Sequence, residues 1–568
     1  MTGAALARLA RLRPRDARGD RRLVLGLSLL VVGAGIGLRD PWGVDEERFL
    51  GVALELLQRG DWLILSRAGE AYADKPPLFM WVLALAYRLT GSVGLAFRLP
   101  GLVSALVAVA LLHDLGCRLW HRRAGLAAGL IFLGVYQTVS VLRGGQIDSL
   151  LVLWTTLGLY GLLRHLLSGP CWGWYTVAGV AMGLGVITKG IGFLPLLVLI
   201  PFVFGRRRGF RHLSPLSFRD ARWLLAPLGL LVPVTLWLLP LVVRVSSSPD
   251  PVLHAYLRNI LFQQTAVRFV DAWQHREPIW YYPVEVIPLF WLPVVLFLPW
   301  LVPAWRSRWG RGDGRFLLLL GWVLLIVLFF TLSTGKRKVY IFPALPAFAL
   351  AAAPLMPWLG QRLAALTGRP RVLRLATLLY FGALIAWGVA EPLLLDHRHS
   401  RRAPMAAVAR ELGSEREVAL VGWREGHWLF ARNPLVHFGY RGGPDQVHQA
   451  QAWLRAGPDR WLLAPARMLR ACFDLGRAIR VGREKGTDLL LVEAAMDTGR
   501  CTPRRPEPIY RFRWTPAIAD RLARGRRRTT PSRARPSCIP REPGIPTMVL
   551  PLGPVPYRPK GRAKGVQR

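Results

Sequence analysis

An acidic and basic run, V-D-E-E-R-F-L at residues 44–50, holds the first candidate residues for acid–base chemistry. Asp45 and Arg48 are three residues apart, so on a helix both side chains would lie on one face. A carboxylate held beside an arginine can accept the proton of an attacking hydroxyl group. The usual interpretation of such a run is a set of solvated charges next to a membrane segment, and the residues alone leave both interpretations open.

A second candidate is the segment Y-A-D-K-P-P, in which Tyr72, Asp74 and Lys75 precede two prolines. Proline restricts its own backbone and that of the residue before it, so this segment should be stiff. A lysine fixed in a stiff loop can bind a phosphate as a point charge. An ordinary turn before an apolar segment would have the same sequence.

Two single charges stand at the ends of predicted membrane segments. Asp148 opens one segment, where an aspartate is costly unless it is paired or faces a wet cavity. An aspartate is also favoured as a helix N-cap, so both interpretations of Asp148 stay open. Lys189 follows another segment in the sequence T-K-G, and we favour a lysine that extends toward the lipid headgroups.

A cationic segment, S-T-G-K-R-K-V-Y, places Lys336, Arg337 and Lys338 just before Tyr340. Such a cluster on the outer side of a membrane opposes the usual charge rule, which favours a role in binding an anion. A lipid phosphate would gain charge-assisted hydrogen bonds there, although nonspecific headgroup contact is the alternative. His275 could contact a phosphate or a metal.

These candidates belong to a chain suited to lipid, with 52% hydrophobic residues and a mean hydropathy of +0.30. Apolar runs close to the ~20 residues of a spanning helix recur along most of it. We predict a polytopic α-helical membrane protein with about eleven spans. The predicted spans are 23–38, 95–112, 124–142, 148–163, 173–188, 190–204, 223–243, 285–303, 316–332, 339–358 and 372–392, with a shorter interfacial segment at 77–90.

The formal net charge of +41 does not indicate a nucleic-acid-binding protein, because the arginines cluster between apolar runs. With the N-terminus in the cytoplasm, alternation of the spans places nearly every arginine cluster inside, as the positive-inside rule requires. These inside clusters lie within 118–123, 206–222, 306–315 and 362–374. The same topology places every candidate residue above on the outer side, which scattered structural charges would not do.

Composition divides the chain into a basic cytoplasmic N-terminus (1–22), a transmembrane catalytic domain (23–392), a small outer α/β domain (393–502) and a tail (503–568). Alternating helix-like and strand-like runs such as A-A-V-A-R-E-L-G and E-V-A-L-V-G-W favour the α/β domain. The tail is rich in proline and arginine, and we predict it to be largely disordered. Cys472 and Cys501 would lie in an exported compartment and could form a disulfide.

The order of these motifs resembles the bacterial aminoarabinose (lipid A) transferases and, more broadly, the protein O-mannosyltransferase superfamily with its GT-C fold. The resemblance rests on D-E-E-R-F, G-D-W-L, Y-x-D-K-P-P-L-x-x-W, the Asp148 loop, T-K-G and Y-x-x-P-x-x-P, and covers roughly residues 20–395. It implies a glycosyltransferase of the bacterial inner membrane with its active site on the periplasmic side. The donor would be a polyprenyl-phosphate sugar, the transfer inverting, and the acceptor a lipid A-like glycolipid, a protein or a glycan.

The resemblance also implies roles for single residues. Asp45 corresponds to the principal catalytic carboxylate of the family and Asp148 to its second essential acid. A divalent metal, the one cofactor implied, would bind at Asp74 and His275, with Asp74 replacing the glutamate more frequent in the family. The implied ligands of the donor phosphate are Arg48, Lys75, Tyr72, Lys336, Arg337, Lys338 and Tyr340.

Two other classes of function remain open from the sequence. A transporter or flippase for lipid-linked saccharides would share the many spans and the outer cations. It would also need polar groups at mid-membrane depth, and the predicted spans hold few acidic residues at their centres. A non-catalytic binder of the same saccharides would carry the same motifs. In each class the expected partners are lipid-linked saccharides and membrane lipids, with no nucleic acid.

Overall fold

The structure is a computed structural model, and it describes residues 17–217, 219–262, 276–367, 370–440, 445–484 and 486–512. Helices build the part up to His399, and a mixed α/β domain follows. The helices of the first part are Ala17–Gly33, Val44–Arg59, Leu78–Thr90, Val93–Ala96, Leu99–Leu119, Arg122–Gly134, Tyr136–Arg143, Ile147–Ser168, Trp172–Lys189, Leu199–Arg207, Leu225–Ser246, Pro251–Arg258, Ile287–Phe290, Leu298–Gly310, Gly314–Leu332, Leu345–Ala352, Met356–Thr367 and Pro370–His399.

Every apolar segment predicted to span a membrane overlaps with helical structure. Within the described residues, six helices are long and apolar enough to cross a membrane, or up to eight if each of two bent pairs is one span. The chain is therefore a polytopic membrane protein, while the count of about eleven spans stays a prediction. The segment 77–90 forms the 13-residue helix Leu78–Thr90, which is short for a span.

The two bent pairs replace spans that the sequence predicts to be continuous. Arg122–Gly134 and Tyr136–Arg143 meet at 66°, because Val135 between them has an extended backbone. The helical segments on either side of Pro293 meet at 105°. Proline lacks the backbone donor of a continuous helix, which explains a break at that position.

The loops that the sequence places in the cytoplasm meet at one end of the helical part. Arg122 forms an ion pair with Asp20 of the first helix. Arg315 Nη1 donates a hydrogen bond to the carbonyl of Leu119 (2.7 Å). The helix Ile147–Ser168 connects the two ends of the helical part. The carbonyl of Leu166 in its last turn accepts a hydrogen bond from the N–H of Ser214 in the arginine-rich segment 206–222, and Asp148 lies in its first turn.

The predicted outer loop 39–76 contains a regular helix. This helix, Val44–Arg59, is called the surface helix below. At its start the Glu46 carboxylate accepts a hydrogen bond from the N–H of Gly43 (3.2 Å), which satisfies a donor that the helix leaves free. At its end Gly60 has a φ of 69°, a left-handed conformation that suits glycine. The chemistry of its first turn therefore starts from a fixed backbone.

A hairpin follows the surface helix. Strands β1 (Ser66–Arg67) and β2 (Glu70–Ala71) pair antiparallel. The two residues of the turn, Ala68 and Gly69, have φ values of 53° and 80°. Positive φ at both central positions is typical of the two-residue turns that join twisted antiparallel strands. The hairpin leads directly into the segment that begins at Tyr72.

The C-terminal domain contains a six-stranded sheet. Its strands are β3 (Val418–Leu420), β4 (Leu435–His437), β5 (Trp461–Pro465), β6 (Ile479–Glu484), β7 (Thr487–Val492) and β8 (Tyr510–Phe512). They lie in the order β6-β7-β5-β3-β4-β8, in which β3 is parallel to its neighbours β4 and β5 and the other pairs are antiparallel. The helices of this domain are Arg402–Leu412, Glu425–Phe430, Asp445–Arg455 and Ala466–Leu469.

The boundaries of this domain differ from the predicted 393 and 502. Its sheet extends to Phe512, because the edge strand β8 pairs with β4 inside the segment predicted as tail. Position 393 lies within the helix Pro370–His399, which runs on from the last predicted span. The remainder of the predicted tail, 513–568, lies outside the described residues. Cys472 and Cys501 form a disulfide, as the sequence allowed.

Candidate active site

Asp45 lies in the first turn of the surface helix and is bound by two arginines. Arg48, one turn further on, forms an ion pair with one carboxylate oxygen. Arg337 Nη2 lies 3.2 Å from the other oxygen. Burial by itself raises the pKa of the Asp45 carboxyl, but Arg48 and Arg337 outweigh it and hold that pKa below its usual value. Asp45 is therefore ionised at neutral pH, as a proton acceptor must be.

Asp148 and Lys189 form a second ion pair, although 41 residues separate them in the sequence. Both side chains are largely buried, with exposed fractions of 7% and 11%. The N-cap of this helix is Gln146, so the N-cap interpretation of Asp148 is wrong. The interpretation of Lys189 as a headgroup-seeking lysine is wrong as well, because its ammonium group points at Asp148. A buried pair of this kind is costly and therefore suggests a functional role.

Arg337 connects the two acidic residues. Burial lowers the pKa of the Arg337 guanidinium, but the charges of Asp45 and Asp148 and the nearby Tyr340 raise it above its usual value. Lys189 Nζ lies 4.8 Å from the centre of the Tyr340 ring, within the range of a cation–π contact. Two carboxylates and three cations thus share one centre, at the end of the helical part opposite the contacts of Arg122 and Arg315.

The stiff segment after the hairpin reaches the same centre. Tyr72 is fully buried, and its hydroxyl has no hydrogen-bond partner among the residues that the structure describes. Burial raises the pKa of the Tyr72 hydroxyl, while the positive charge of Arg48 opposes that rise. Lys75 in turn helps to lower the pKa of Asp45. A buried donor left unpaired is energetically costly, which makes the Tyr72 hydroxyl a candidate hydrogen-bond donor to a ligand.

The three cations 336–338 do not share one pocket. Of these three described residues, only Arg337 contacts Asp45. Lys336 is 6% exposed, and its Nζ donates to the carbonyl of Glu277 (2.8 Å). Lys338 Nζ instead lies 4.9 Å from the centre of the Phe290 ring. The structure therefore corrects the picture of a single basic cluster, and the phosphate-binding roles of Lys336 and Lys338 stay predictions.

The metal site that the resemblance implies lies only partly within the described residues and stays a prediction. The charge of Asp74 acts on the hydroxyl of Tyr72, whereas His275 lies outside the described residues. Within the described ranges, the one group of three potential ligands consists of His448, Cys472 and Cys501. Its two sulfurs are joined in the disulfide and cannot act as thiolate ligands.

Comparisons with known proteins agree with this architecture. Residues 74–245 match the family model described as dolichyl-phosphate-mannose-protein mannosyltransferase. The undecaprenyl phosphate-alpha-4-amino-4-deoxy-L-arabinose arabinosyl transferase of Serratia proteamaculans is 31% identical over 324 residues, or 55% of this chain and 54% of that protein. The transferase 1 of the same description from Pseudomonas fluorescens is 31% identical over 432 residues, or 73% of this chain and 71% of that protein. The chain thus matches about half the length of the Serratia relative.

A solved structure shares the fold. ArnT from Cupriavidus metallidurans bound to undecaprenyl phosphate aligns with a TM-score of 0.64 at 19% identity, over 83% of this chain and 97% of that chain. Fold and site together define a polytopic membrane protein of the GT-C type. The chain belongs to the undecaprenyl phosphate-aminoarabinose arabinosyl transferase family, as the motif order predicts.

Proposed function

We propose that this protein is a membrane glycosyltransferase that moves a sugar from a polyprenyl-phosphate carrier to an acceptor, with inversion at the anomeric carbon. The observation that carries the proposal is the ionised carboxylate of Asp45 between Arg48 and Arg337. This reaction requires a base that accepts the proton of the incoming group and cations that stabilise the leaving phosphate. The printed names of the relatives support the same donor chemistry.

On the donor side, Arg48, Arg337 and Lys75 would bind the phosphate. All three act electrostatically on Asp45, so a phosphate that reaches Asp45 also reaches these cations. The unpaired hydroxyl of Tyr72 would donate to a phosphate oxygen. The segment of Arg337 also contains Lys336, Lys338 and Tyr340, which would contact the carrier beside its phosphate. An arriving phosphate would pair with Arg48 and Arg337 in place of Asp45, and the Asp45 carboxylate could then accept a proton from the acceptor.

In the chemical step, an acceptor hydroxyl attacks the anomeric carbon opposite the phosphate. The new carbon–oxygen bond forms as the bond to the carrier phosphate breaks, and the proton of the hydroxyl passes to Asp45. The leaving phosphate keeps the bonding electrons and gains negative charge. Preorganised cations stabilise that charge in the transition state, and removal of one such group typically costs on the order of 2–4 kcal/mol.

Asp148 would act beside this centre rather than on the proton itself. Its carboxylate fixes the ammonium group of Lys189 next to Tyr340, where the cation faces the donor site. Loss of Asp148 would leave Lys189 buried without its partner. A buried charge that loses its partner is strongly destabilised, so Lys189 would turn away or lose its proton.

The arginine clusters at the opposite end support a location of this site and the C-terminal domain on the periplasmic side of a bacterial inner membrane. The acceptor is a lipid A-like glycolipid, a protein or a glycan, and each would offer a hydroxyl group to the same centre.

The test compares two variants of the same helix with the wild type. Arg48→Gln removes a cation from Asp45, whereas Arg59→Gln removes an exposed cation at the other end of the surface helix. Purified protein is incubated with undecaprenyl-phosphate sugars and lipid A, and products are followed by mass spectrometry. We expect transfer to fall about 100-fold in Arg48→Gln, to be absent in Asp45→Asn and to persist in Arg59→Gln.

Two results would contradict the proposal. Equal activity of Arg48→Gln and Arg59→Gln would remove the phosphate role of Arg48. A wild-type protein that binds undecaprenyl phosphate without any turnover would instead favour a transporter or a non-catalytic binder.

A further inference from the structure

The hairpin β1–β2 lies between the surface helix and the C-terminal domain and is bound by both. On the helix side, the buried carboxylate of Glu55 accepts a hydrogen bond from the N–H of Gly69 (2.9 Å). On the domain side, the Glu70 carboxylate accepts a hydrogen bond from the N–H of Tyr440 (3.0 Å). The hairpin is therefore a bridge between the two parts of the chain rather than an exposed loop.

A buried ion pair adds to this bridge. Arg67 of the hairpin forms a two-point contact with Glu425, through Nε to one oxygen and Nη2 to the other (3.3 Å). The Arg67 guanidinium also lies 4.4 Å from the centre of the Tyr440 ring. Both partners of the ion pair are largely buried, with exposed fractions of 15% and 5%. Two-point contacts between arginine and carboxylate fix direction as well as distance.

The position of the hairpin on the domain is unusual. Open α/β sheets bind ligands at the carboxyl ends of their parallel strands. Here Glu70 occupies the carboxyl end of β4, beside Gly439, which has a φ of 91°. A Cβ atom at Gly439 would lie 2.8 Å from the Glu70 carboxylate. The place where such a sheet usually receives a small molecule is thus filled by the protein's own hairpin.

The surface helix contacts the same domain through two glycines. A Cβ atom at Gly51 of the surface helix would lie 2.6 Å from Cγ of Glu425. A Cβ atom at Gly426 of the domain would lie 2.6 Å from a carboxylate oxygen of Glu47. The helix that carries Asp45 and the hairpin that precedes Lys75 are therefore held by one helix of the domain, Glu425–Phe430.

We propose that Glu70 and Glu425 are positioning residues, through which the C-terminal domain holds the hairpin and so places Tyr72 and Lys75 at Asp45. The hairpin is continuous with this segment, since the N–H of Tyr72 donates to the carbonyl of Leu65 (2.8 Å) across the base of the hairpin. The inference rests on the proposed function for its kinetic part only. Its structural part, that the domain orders residues 66–77, stands independently of the reaction.

The experiment uses the full-length protein in detergent and two kinds of variant. Glu70→Ala removes the acceptor at β4, and Glu425→Gln removes the charge that holds Arg67. Arg455→Gln, which breaks an ion pair with Asp497 elsewhere in the same domain, is the matched control. Hydrogen exchange of residues 66–77 is measured by mass spectrometry beside sugar transfer from undecaprenyl-phosphate sugars.

We expect exchange in residues 66–77 to rise about tenfold or more in both variants and to stay at the wild-type level in Arg455→Gln. Transfer should fall about 10- to 100-fold through kcat, because a displacement near 1 Å is enough for such a loss. The double variant with Arg67→Gln and Glu425→Gln should lose no more transfer activity than either single variant, since both changes break the same ion pair.

Three outcomes decide the matter. Unchanged exchange in the two variants would overturn the inference. Raised exchange with unchanged transfer would also overturn it, because the ordering would then have no effect on the reaction. If the wild type itself transfers no sugar, the proposed function fails, and the exchange comparison still shows whether the domain orders the segment.

Discussion

Glu47→Gln should stabilise the protein at high pH and have little effect at low pH. Glu47 is 1% exposed, and one of its carboxylate oxygens has no hydrogen-bond partner within the described residues. Burial raises the pKa of Glu47 to about 7, against the opposing charges of Arg401 and Arg424. Two further acids, Glu425 and Glu484, face it and add to the rise. Neutral glutamine resembles the protonated form that this environment favours.

The free energy of unfolding depends on pH because Glu47 binds its proton with different affinity in the folded and unfolded states. The folded protein holds the Glu47 proton more tightly than the unfolded chain, whose carboxyl keeps a pKa near its usual 4.5. The stabilising contribution of this proton is therefore complete at low pH and is lost as the pH rises through 7. Each pH unit over which only the folded state keeps the proton is worth about 1.4 kcal/mol. Between about pH 5 and about pH 8 the loss amounts to about 2.5 kcal/mol.

Thermal unfolding of detergent-solubilised protein at about pH 5 and about pH 8 measures this difference. We expect the melting temperature of Glu47→Gln to exceed that of the wild type at the higher pH and to match it at the lower. Glu411→Gln, at an exposed position in the helix Arg402–Leu412, should show no pH-dependent difference. An offset between Glu47→Gln and the wild type that is the same at both pH values would refute the assignment of the proton to Glu47.

Further changes test the site and the domain. Asp148→Asn should lower transfer about 100-fold, and Lys189→Arg should retain more activity than Lys189→Met, because only arginine can still pair with Asp148; equal activities would contradict this. Tyr72→Phe should weaken binding of undecaprenyl phosphate several-fold without lowering the melting temperature, since the hydroxyl has no partner in the described part of the free protein; binding by calorimetry checks this. Replacing Cys472 and Cys501 by serine should destabilise the domain by about 3–4 kcal/mol in chemical unfolding, as their separation is 29 residues, and an unchanged midpoint would argue against the disulfide.

Local pattern was sufficient to predict several features. Apolar runs located the helices, because a spanning helix must be apolar over most of its length. The three-residue spacing of Asp45 and Arg48 predicted a shared helix face, and the two side chains do pair. The arginine clusters also predicted that the segments around Arg122 and Arg315 lie near each other, and both make contacts at the same end of the helical part.

Contacts between distant segments could not be predicted in this way. The pair Asp148–Lys189 depends on how two helices pack, so each residue had a plausible local explanation that the structure contradicts. The split of Lys336 and Lys338 from Arg337 depends on side-chain directions in an irregular segment. Strand β8 has three residues and exists only because β4 offers it an edge, so no periodicity marks it.

The paired glycines at the crossing of the surface helix and the C-terminal domain have a consequence for recombination. Gly51 and Gly426 come from different parts of the chain, yet each leaves room for a side chain of the other part. A chimera that takes its C-terminal domain from a relative keeps Gly51 and Glu47 but has the relative's residue at position 426, which faces the Glu47 carboxylate. Any larger residue there would push the surface helix, and with it Asp45, away from Arg337. Natural exchange of this domain should therefore succeed only between parents in which both positions are small, or when residues 44–71 move together with the domain.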